Sequence, residues 1–590
     1  MSSGSDMSCE GRLKARRRAA LAAGGWPGGL TIILLGLLLS LPGLFSLPPI
    51  DRDESRFAQA SRQMLESQDA GGWIVPRVQE RPRLNKPPLI YWLQGGMAAA
   101  ITGGDADRDA IWMYRLPSAA AFIGVLLLVW RLGTVMFDGR VGLLSALMIG
   151  TSPVFQWEAR QARADMVLVF CTVLAMSLLW QIWRSERRRL GLAAALWVAV
   201  AVGIMAKGPI TPMVVLLTAA TIRLTTRTPW RGRIAWWLFP VVTLAVVGPW
   251  VALVMREVGA ETYVRLVLDE TLGRASTAKE GHHGPPGYHL FIVLGLLWPG
   301  SMLLGVGVWR AVVRARGGER ARGLDRWERL AAWWRHSPRA AEAFLLAWIV
   351  PSWVVFELVS TKLPHYTMPL YAPLAVLSAR AVVASLSKPA WVRERGVRLG
   401  AFVWAICGAA AMAAGPAALA ELGRPTEGVR WIAWIASAVL LAGGCVLIAL
   451  VARGALARAT VLGIALMGVC GGVLIGVVLP GIERPWINTR LLEAVERFDP
   501  RTERPLAGVD YTEDSFVFLT RGRMQAPTAE ELPDWLRANP GGVVIVRETR
   551  LETDAELEAV SDAIEGFNYS RGRMQRLRLA VEASPSAPEE

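Results

Sequence analysis

Stretches of apolar residues, most close to 20 long, recur about thirteen times along the chain, and this repetition constrains the fold more than any other feature. An α-helix of about 20 apolar residues crosses a ~30 Å hydrocarbon core while satisfying its own backbone polar groups. The stretches run near residues 28–47, 111–130, 141–156, 165–183, 190–206, 208–222, 234–255, 289–309, 341–359, 364–385, 399–419, 431–451 and 459–479. The expected fold class is therefore mainly α, a polytopic membrane protein of about 13 transmembrane helices. Composition agrees: 53% of the residues are hydrophobic and 19% charged, against about 25% charged in soluble domains.

Lys and Arg number 64 against 49 acidic residues, a formal charge of +15. In a soluble protein that excess raises the question of nucleic acid, but here it falls in alternate loops. These hold Arg184 with Arg187 to Arg189; Arg223, Arg227, Arg231 and Arg233; Arg310 through Arg339; and Arg393, Arg395 and Arg398. Short loops rich in Lys and Arg stay in the cytoplasm. No nucleic-acid partner is expected, because no basic patch alternates with exposed aromatics. Residues 1–27 form a basic tail on the cytoplasmic side, and 28–47 reads as an uncleaved first span because no small-residue cleavage site follows. An odd number of spans then places everything after Pro480 outside. Of five cysteines, Cys171, Cys407, Cys445 and Cys470 lie in apolar stretches and Cys9 in the tail, so neither a disulfide framework nor a zinc cluster is indicated.

The membrane domain is expected over 28–480, with outer loops at 48–110 and 256–288. The first loop carries two helical patterns, 54–67 and 89–102, both short and amphipathic as interfacial helices are. Residues 481–590 have the composition of a small α/β extracytoplasmic domain, with strands expected at 515–519 and 543–546 and helices at 489–498, 529–538 and 554–564. The chain shows no nucleotide-binding glycine motif and no internal repeat.

Charged residues at span ends supply the candidates for chemistry. Asp51, Arg52, Asp53, Glu54, Ser55 and Arg56 follow the first span; this cluster suits a helix cap as well as a site. Lys86, beside Pro87 and Pro88, suits phosphate binding or snorkelling. Asp165 opens the fourth span and Lys207 closes the fifth, and ionisable groups at membrane depth are costly unless they serve a purpose. Lys362, His365 and Tyr366 form a further outer corner, where His365 suits a proton carrier or an interfacial hydrogen bond.

The runs DRDESRFAQASRQMLESQDAGGWIVPRVQERPRLNKPPLIYWLQ, YRLPSA, AKGP, HHGPPGYHL and TKLPHYTMPLYAPLAVL occur in that order between spans. Together they resemble the polyprenyl-phosphate-dependent membrane glycosyltransferases, whose best-known members transfer 4-amino-4-deoxy-L-arabinose to lipid A and whose distant relatives are protein O-mannosyltransferases. The resemblance covers roughly residues 28–380. It implies the GT-C-like architecture and an outward-facing cavity at a bacterial inner membrane. It implies a polyprenyl-phosphate-sugar donor and a lipid, glycan or protein acceptor. It implies catalytic roles for Asp53 and Asp165 and donor-phosphate binding by Arg56, Lys86 and Arg274; Glu54, Tyr91, Lys207, Lys362, His365 and Tyr366 are candidates for the cavity wall. Lipid A-modifying members carry a glutamate before the motif lysine and a histidine before the loop arginine, viewed as metal ligands. Here those places hold Asn85 and Thr271, so no metal or other cofactor is expected. A protein O-mannosyltransferase-like activity is the nearest alternative. A transporter or flippase of lipid-linked intermediates is the alternative of a different class, disfavoured because the charges gather on one face rather than at the midplane of repeated halves.

Overall fold

The computed structural model describes residues 26–67, 69, 71–225, 231–273, 284–315, 340–554 and 556–583. Helix α1 (Trp26–Ser40) leads into the first loop, where α2 (Asp53–Glu66) and α3 (Leu89–Thr102) flank a two-stranded hairpin, β1 (Arg77–Val78) and β2 (Arg81–Pro82). The bundle continues through α4 (Ile111–Met136), α5 (Gly139–Gly150), α6 (Pro153–Glu158), α7 (Asp165–Arg184), α8 (Leu190–Lys207) and α9 (Ile210–Thr225). Then follow α10 (Leu238–Val258), α11 (Ala260–Leu268), α12 (Tyr288–Leu296), α13 (Leu304–Ala315), α14 (Ala340–Leu358), α15 (Tyr371–Ser385), α16 (Arg395–Gly423), α17 (Glu427–Ala452) and α18 (Leu456–Val473).

Nine helices among the described residues are long and apolar enough to cross a membrane, and three shorter apolar ones, at Pro27–Ser40, Gly139–Gly150 and Ile210–Thr225, fall on expected spans. The chain is a multi-pass membrane protein. Two expected spans are broken. The 141–156 stretch ends its first helix at Gly150, because Ser152 precedes Pro153 and adopts an extended backbone. The 289–309 stretch divides into α12 and α13, with Pro299, which has no N–H to donate, in the gap.

Small residues set the closest helix contacts. A Cβ on Gly133 of α4 would stand 2.8 Å from the Cα of Gly142 in α5, so the two backbones touch. Helix α7 is buried along most of its length, whereas α10 and α17 turn residues such as Leu244 and Ile435 outward, a surface suited to hydrocarbon rather than water.

The C-terminal unit begins with α19 (Ile487–Phe498) and builds a five-stranded sheet from β3 (Leu506–Gly508), β4 (Val543–Arg547), β5 (Leu557–Ala559), β6 (Ile564–Asn568) and β7 (Arg573–Glu582). The strand order is β3-β4-β7-β5, with β6 also pairing β7; only β3 and β4 run parallel. Strand β4 is covered on both faces: Val543 and Ile545 enter one core with Leu491 and Phe516, while Val544 and Val546 enter another with Trp535. Two of the expected elements here are corrected. Residues 515–519 are not a strand but part of α20 (Asp514–Leu519), whose residues Ser515 to Phe518 are buried, against the α19 core and against α2. Residues 554–564 are not a helix; they contain β5, because the long β7 offers open backbone groups to pair with.

Candidate active site

The start of α2 is organised by side chains that return to the backbone preceding them. Glu54 Oε2 accepts the Ile50 N–H at 2.8 Å, and the Ser55 hydroxyl donates to the Ile50 carbonyl at 2.6 Å. Arg52, at φ +62°, makes the sharp turn that lets the helix begin at Asp53. A non-glycine residue there costs about 1–2 kcal/mol, offset by these bonds.

Glu54 is fully buried. Arg115, equally buried in α4, grips both its oxygens at 2.9 and 2.8 Å, and the Ala162 N–H adds a bond at 2.9 Å. The remaining guanidinium donors reach the carbonyls of Leu44, Leu47 and Pro48 at 3.2, 2.8 and 2.9 Å. Arg115 thus ties the chain leaving α1 to the first turn of α2. With Glu54 held, the neighbouring Asp53, about 100° around the helix, is aimed elsewhere.

Asp53 opens onto a cavity of about 350 Å³ whose wall includes Arg56, Arg83, Lys86, Arg163, Lys207 and His365. Its side chain is 48% exposed, with Arg163 at 3.3 Å and Arg83 at 3.7 Å. Burial pushes its carboxyl toward protonation, but Arg163 and then Arg83 outweigh this and hold it below the usual carboxylate range. Asp53 is therefore an ionised carboxylate facing open space. Asp165 stands behind it and does not line the cavity: it accepts from Lys207 Nζ at 2.5 Å, with His365 Nε2 at 3.6 Å and Arg163 Nε at 3.9 Å.

The two phosphate-binding candidates in the described residues also line the cavity, each beside a carboxylate. Lys86 bonds Glu270, and Arg56 Nε lies 2.8 Å from Asp514 of α20. Arg274 lies outside the described residues, as do His282, His283 and the side chain of Thr271. Tyr91 is buried behind the wall, where its hydroxyl accepts from Arg83 at 3.1 Å. Tyr366 reaches the wall, but Lys362 does not: it turns to Glu357 at 3.2 Å and the Pro285 carbonyl at 3.1 Å. Among the described residues no group of three or more His, Cys, Asp or Glu side chains is arranged to hold a metal ion.

Sequence reasoning missed Arg83, Glu158 and Arg163. Arg163 was signalled by the dense charge between the third and fourth spans, in the run EARQARAD, which contradicts an ordinary short turn.

The C-terminal unit docks on this site. Asp51 accepts from the Ser515 N–H at 2.9 Å and the Ser570 hydroxyl at 3.0 Å, and its own N–H donates to the Tyr569 hydroxyl at 2.6 Å. Burial, and then the facing Glu513 carboxylate, push the Asp51 carboxyl from 3.8 up to about 7. Between those values the folded chain keeps a proton that the unfolded chain has lost, so docking weakens as pH rises through this window. Hydrogen exchange at the Ser515 amide, corrected for intrinsic rate, is expected to be faster relative to the rest of α20 at pH 8 than at pH 6.

Comparison with known proteins identifies the fold. The chain has the fold of the GT-C membrane glycosyltransferases. It superposes on ArnT from Cupriavidus metallidurans bound to undecaprenyl phosphate with a TM-score of 0.69 at 20% identity, covering 96% of this chain and 100% of that one. The archaeal oligosaccharyltransferase AglB from Archaeoglobus fulgidus, in complex with an inhibitory peptide and a dolichol-phosphate, matches at TM-score 0.53 and 10% identity over 90% of this chain and 69% of that one. In sequence, residues 85–252 match the dolichyl-phosphate-mannose-protein mannosyltransferase family. The undecaprenyl phosphate-alpha-4-amino-4-deoxy-L-arabinose arabinosyl transferase of Pseudomonas savastanoi is 26% identical over 358 residues, 60% of this chain and 60% of that protein. The counterpart from Pseudomonas aeruginosa strain LESB58 is 27% identical over 370 residues, 61% of each. The chain thus matches about three fifths of the length of these curated relatives, and the resemblance seen in its motifs is to the same glycosyltransferases.

Proposed function

We propose that the protein is a glycosyltransferase that moves one sugar from a polyprenyl-phosphate donor to a lipid, glycan or protein acceptor. The setting is the outer face of a bacterial cytoplasmic membrane, with the N-terminus in the cytoplasm and the cavity and C-terminal unit outside. The observation that carries this reading is the pairing in one cavity of an ionised, accessible Asp53 with Arg56 and Lys86.

The acceptor hydroxyl attacks the anomeric carbon while the carbon–oxygen bond to phosphate breaks. The bonding pair leaves with the polyprenyl phosphate and the hydroxyl proton passes to Asp53. Negative charge grows on the leaving phosphate, where Arg56 and Lys86 stabilise it. Inversion at the sugar carbon follows from the resemblance. Phosphate replaces Glu270 as the partner of Lys86, so the lysine exchanges one anion for another. A metal is not required in this scheme: Asn85 lacks the charge of the glutamate it stands for, and the cations around the cavity supply the stabilisation.

The protein acceptor remains the second reading, favoured by the mannosyltransferase family match over residues 85–252. Lys86→Ala is expected to weaken donor use by about 1.5–3 kcal/mol, the worth of a charged phosphate contact. The donor concentration for half-maximal rate measures this, and an unchanged value leaves Lys86 as a snorkelling residue.

To test the proposal, purified protein is added to membranes from a strain lacking its gene, with and without chelator, and released polyprenyl phosphate is quantified. Release that depends on the protein and survives chelation is expected. Absence of release contradicts the reaction, and release abolished by chelation contradicts its metal independence.

A further inference from the structure

Arg163 is placed unlike the other cations of the cavity. Its Nη1 lies 3.2 Å from Glu158 Oε1, its Nη2 lies 3.3 Å from Asp53 Oδ2, and its Nε lies 3.9 Å from Asp165 Oδ2. One planar guanidinium thus faces three carboxylates from the end of α6, the start of α2 and the start of α7. The fork is rigid, so where one carboxylate holds it decides what it offers the others.

Glu158 is the least obvious member. It is 3% exposed, and its Oε2 has no hydrogen-bond partner among the described residues. An interior carboxylate with an orphaned oxygen is costly. Its ion-pair partner among the described residues is Arg163, which ties it to the cavity. Asp53, by contrast, is half exposed on the first turn of a helix, and its carboxylate is free to rotate except where Arg163 and Arg83 hold it.

We propose that Glu158 and Arg163 are a positioning pair for the transfer reaction: Glu158 anchors one end of the guanidinium so that the other presents an N–H to Asp53, fixing the orientation of that carboxylate and its affinity for the acceptor's proton. The inference rests on the glycosyl-transfer reading of the cavity. The groups facing the pair are Asp53 and Glu54 from α2, Arg83 from the hairpin, Asp165 from α7, Lys207 from the end of α8 and His365 from the turn before α15. Burial, opposed by Arg163, leaves the Glu158 carboxyl raised to about 7. As it gains a proton below that pH, Arg163 faces one negative charge fewer. Its pull falls more fully on Asp53, which becomes a weaker base.

The test is turnover from pH 5 to 9 for wild type, Glu158→Gln and Arg163→Lys. Each purified full-length protein is supplied with the lipid-linked sugars and acceptors of gene-deleted membranes and normalised to folded protein by size exclusion. Wild type is expected to show a limb near pH 7. In Glu158→Gln that limb disappears and turnover above pH 7 falls about threefold or more, with the donor KM unchanged. Arg163→Lys keeps the charge but cannot span the carboxylates, so turnover falls about tenfold or more. Added to Asp53→Asn, it causes no further loss, as expected of residues acting through one group. A Glu158→Gln profile that superimposes on wild type, or Arg163→Lys within twofold of it, overturns the pair. If wild type itself transfers no sugar, the glycosyl-transfer reading falls and the pair with it; wild-type transfer with unaltered variants removes the pair alone.

Discussion

Asp53→Asn abolishes sugar transfer, with turnover down by about 10³-fold or more, while the protein remains folded in the membrane. The size of the loss follows from what the substitution removes. Asparagine keeps the shape and one hydrogen-bond acceptor, so Arg163 and Arg83 retain a partner, but the amide does not take up a proton. The side chain is half exposed and lines the cavity, so little stability depends on it. Folding is checked by size exclusion and a thermal scan in detergent, turnover by released polyprenyl phosphate. Turnover within tenfold of wild type would remove Asp53 from the reaction and leave it as one member of a charge cluster.

Glu54→Ala, one residue on, acts in the opposite way. It leaves the Arg115 guanidinium fully buried without its carboxylate and strips acceptors from the Ile50 and Ala162 N–H groups. Breaking a buried ion pair from one side costs about 3–5 kcal/mol, a large part of the stability of an ordinary domain. The variant is expected to be nearly absent from membranes at 37 °C, with loss of activity in proportion to loss of protein. Wild-type abundance together with a wild-type melting point would show that Arg115 finds another anion. The two substitutions separate chemistry from construction within one turn of helix.

That separation was not legible in the sequence. The run from Asp51 to Arg56 announced a charged site after the first span. Glu54 and Asp53 both border the cavity, and which of them stays accessible depends on Arg115, 61 residues away from Glu54, and on the Ala162 N–H, 108 away. The apolar spans were readable because hydrocarbon demands a continuous run, and each expected span contains a helix among the described residues. Their breaks at Ser152 and around Pro299 were not, since proline within a membrane span is tolerated or not according to its neighbours. The 515–519 segment misled for a related reason: its aromatic and β-branched residues favour a strand in isolation, but burial against α2 and the α19 core selects a helix. Lys362 shares its corner motif with His365, yet Glu357 captures it on the far side of the turn. Arg83 escaped notice because nothing local marks an arginine that acts on a carboxylate from another element; at Arg163 the charge density of EARQARAD is a local signal, but it does not say which of the two arginines reaches Asp53.

The central claim is that a sugar is transferred to a cell-envelope acceptor, and mass spectrometry of envelope lipids, glycans and proteins tests it most directly. Cells lacking the gene are compared with cells in which it is restored intact or as Asp53→Asn. The account predicts one sugar-sized mass on one acceptor class that is lost on deletion, regained with the intact gene and not regained with Asp53→Asn. Unchanged glycoconjugates in all three, under conditions where the protein is made, would contradict it.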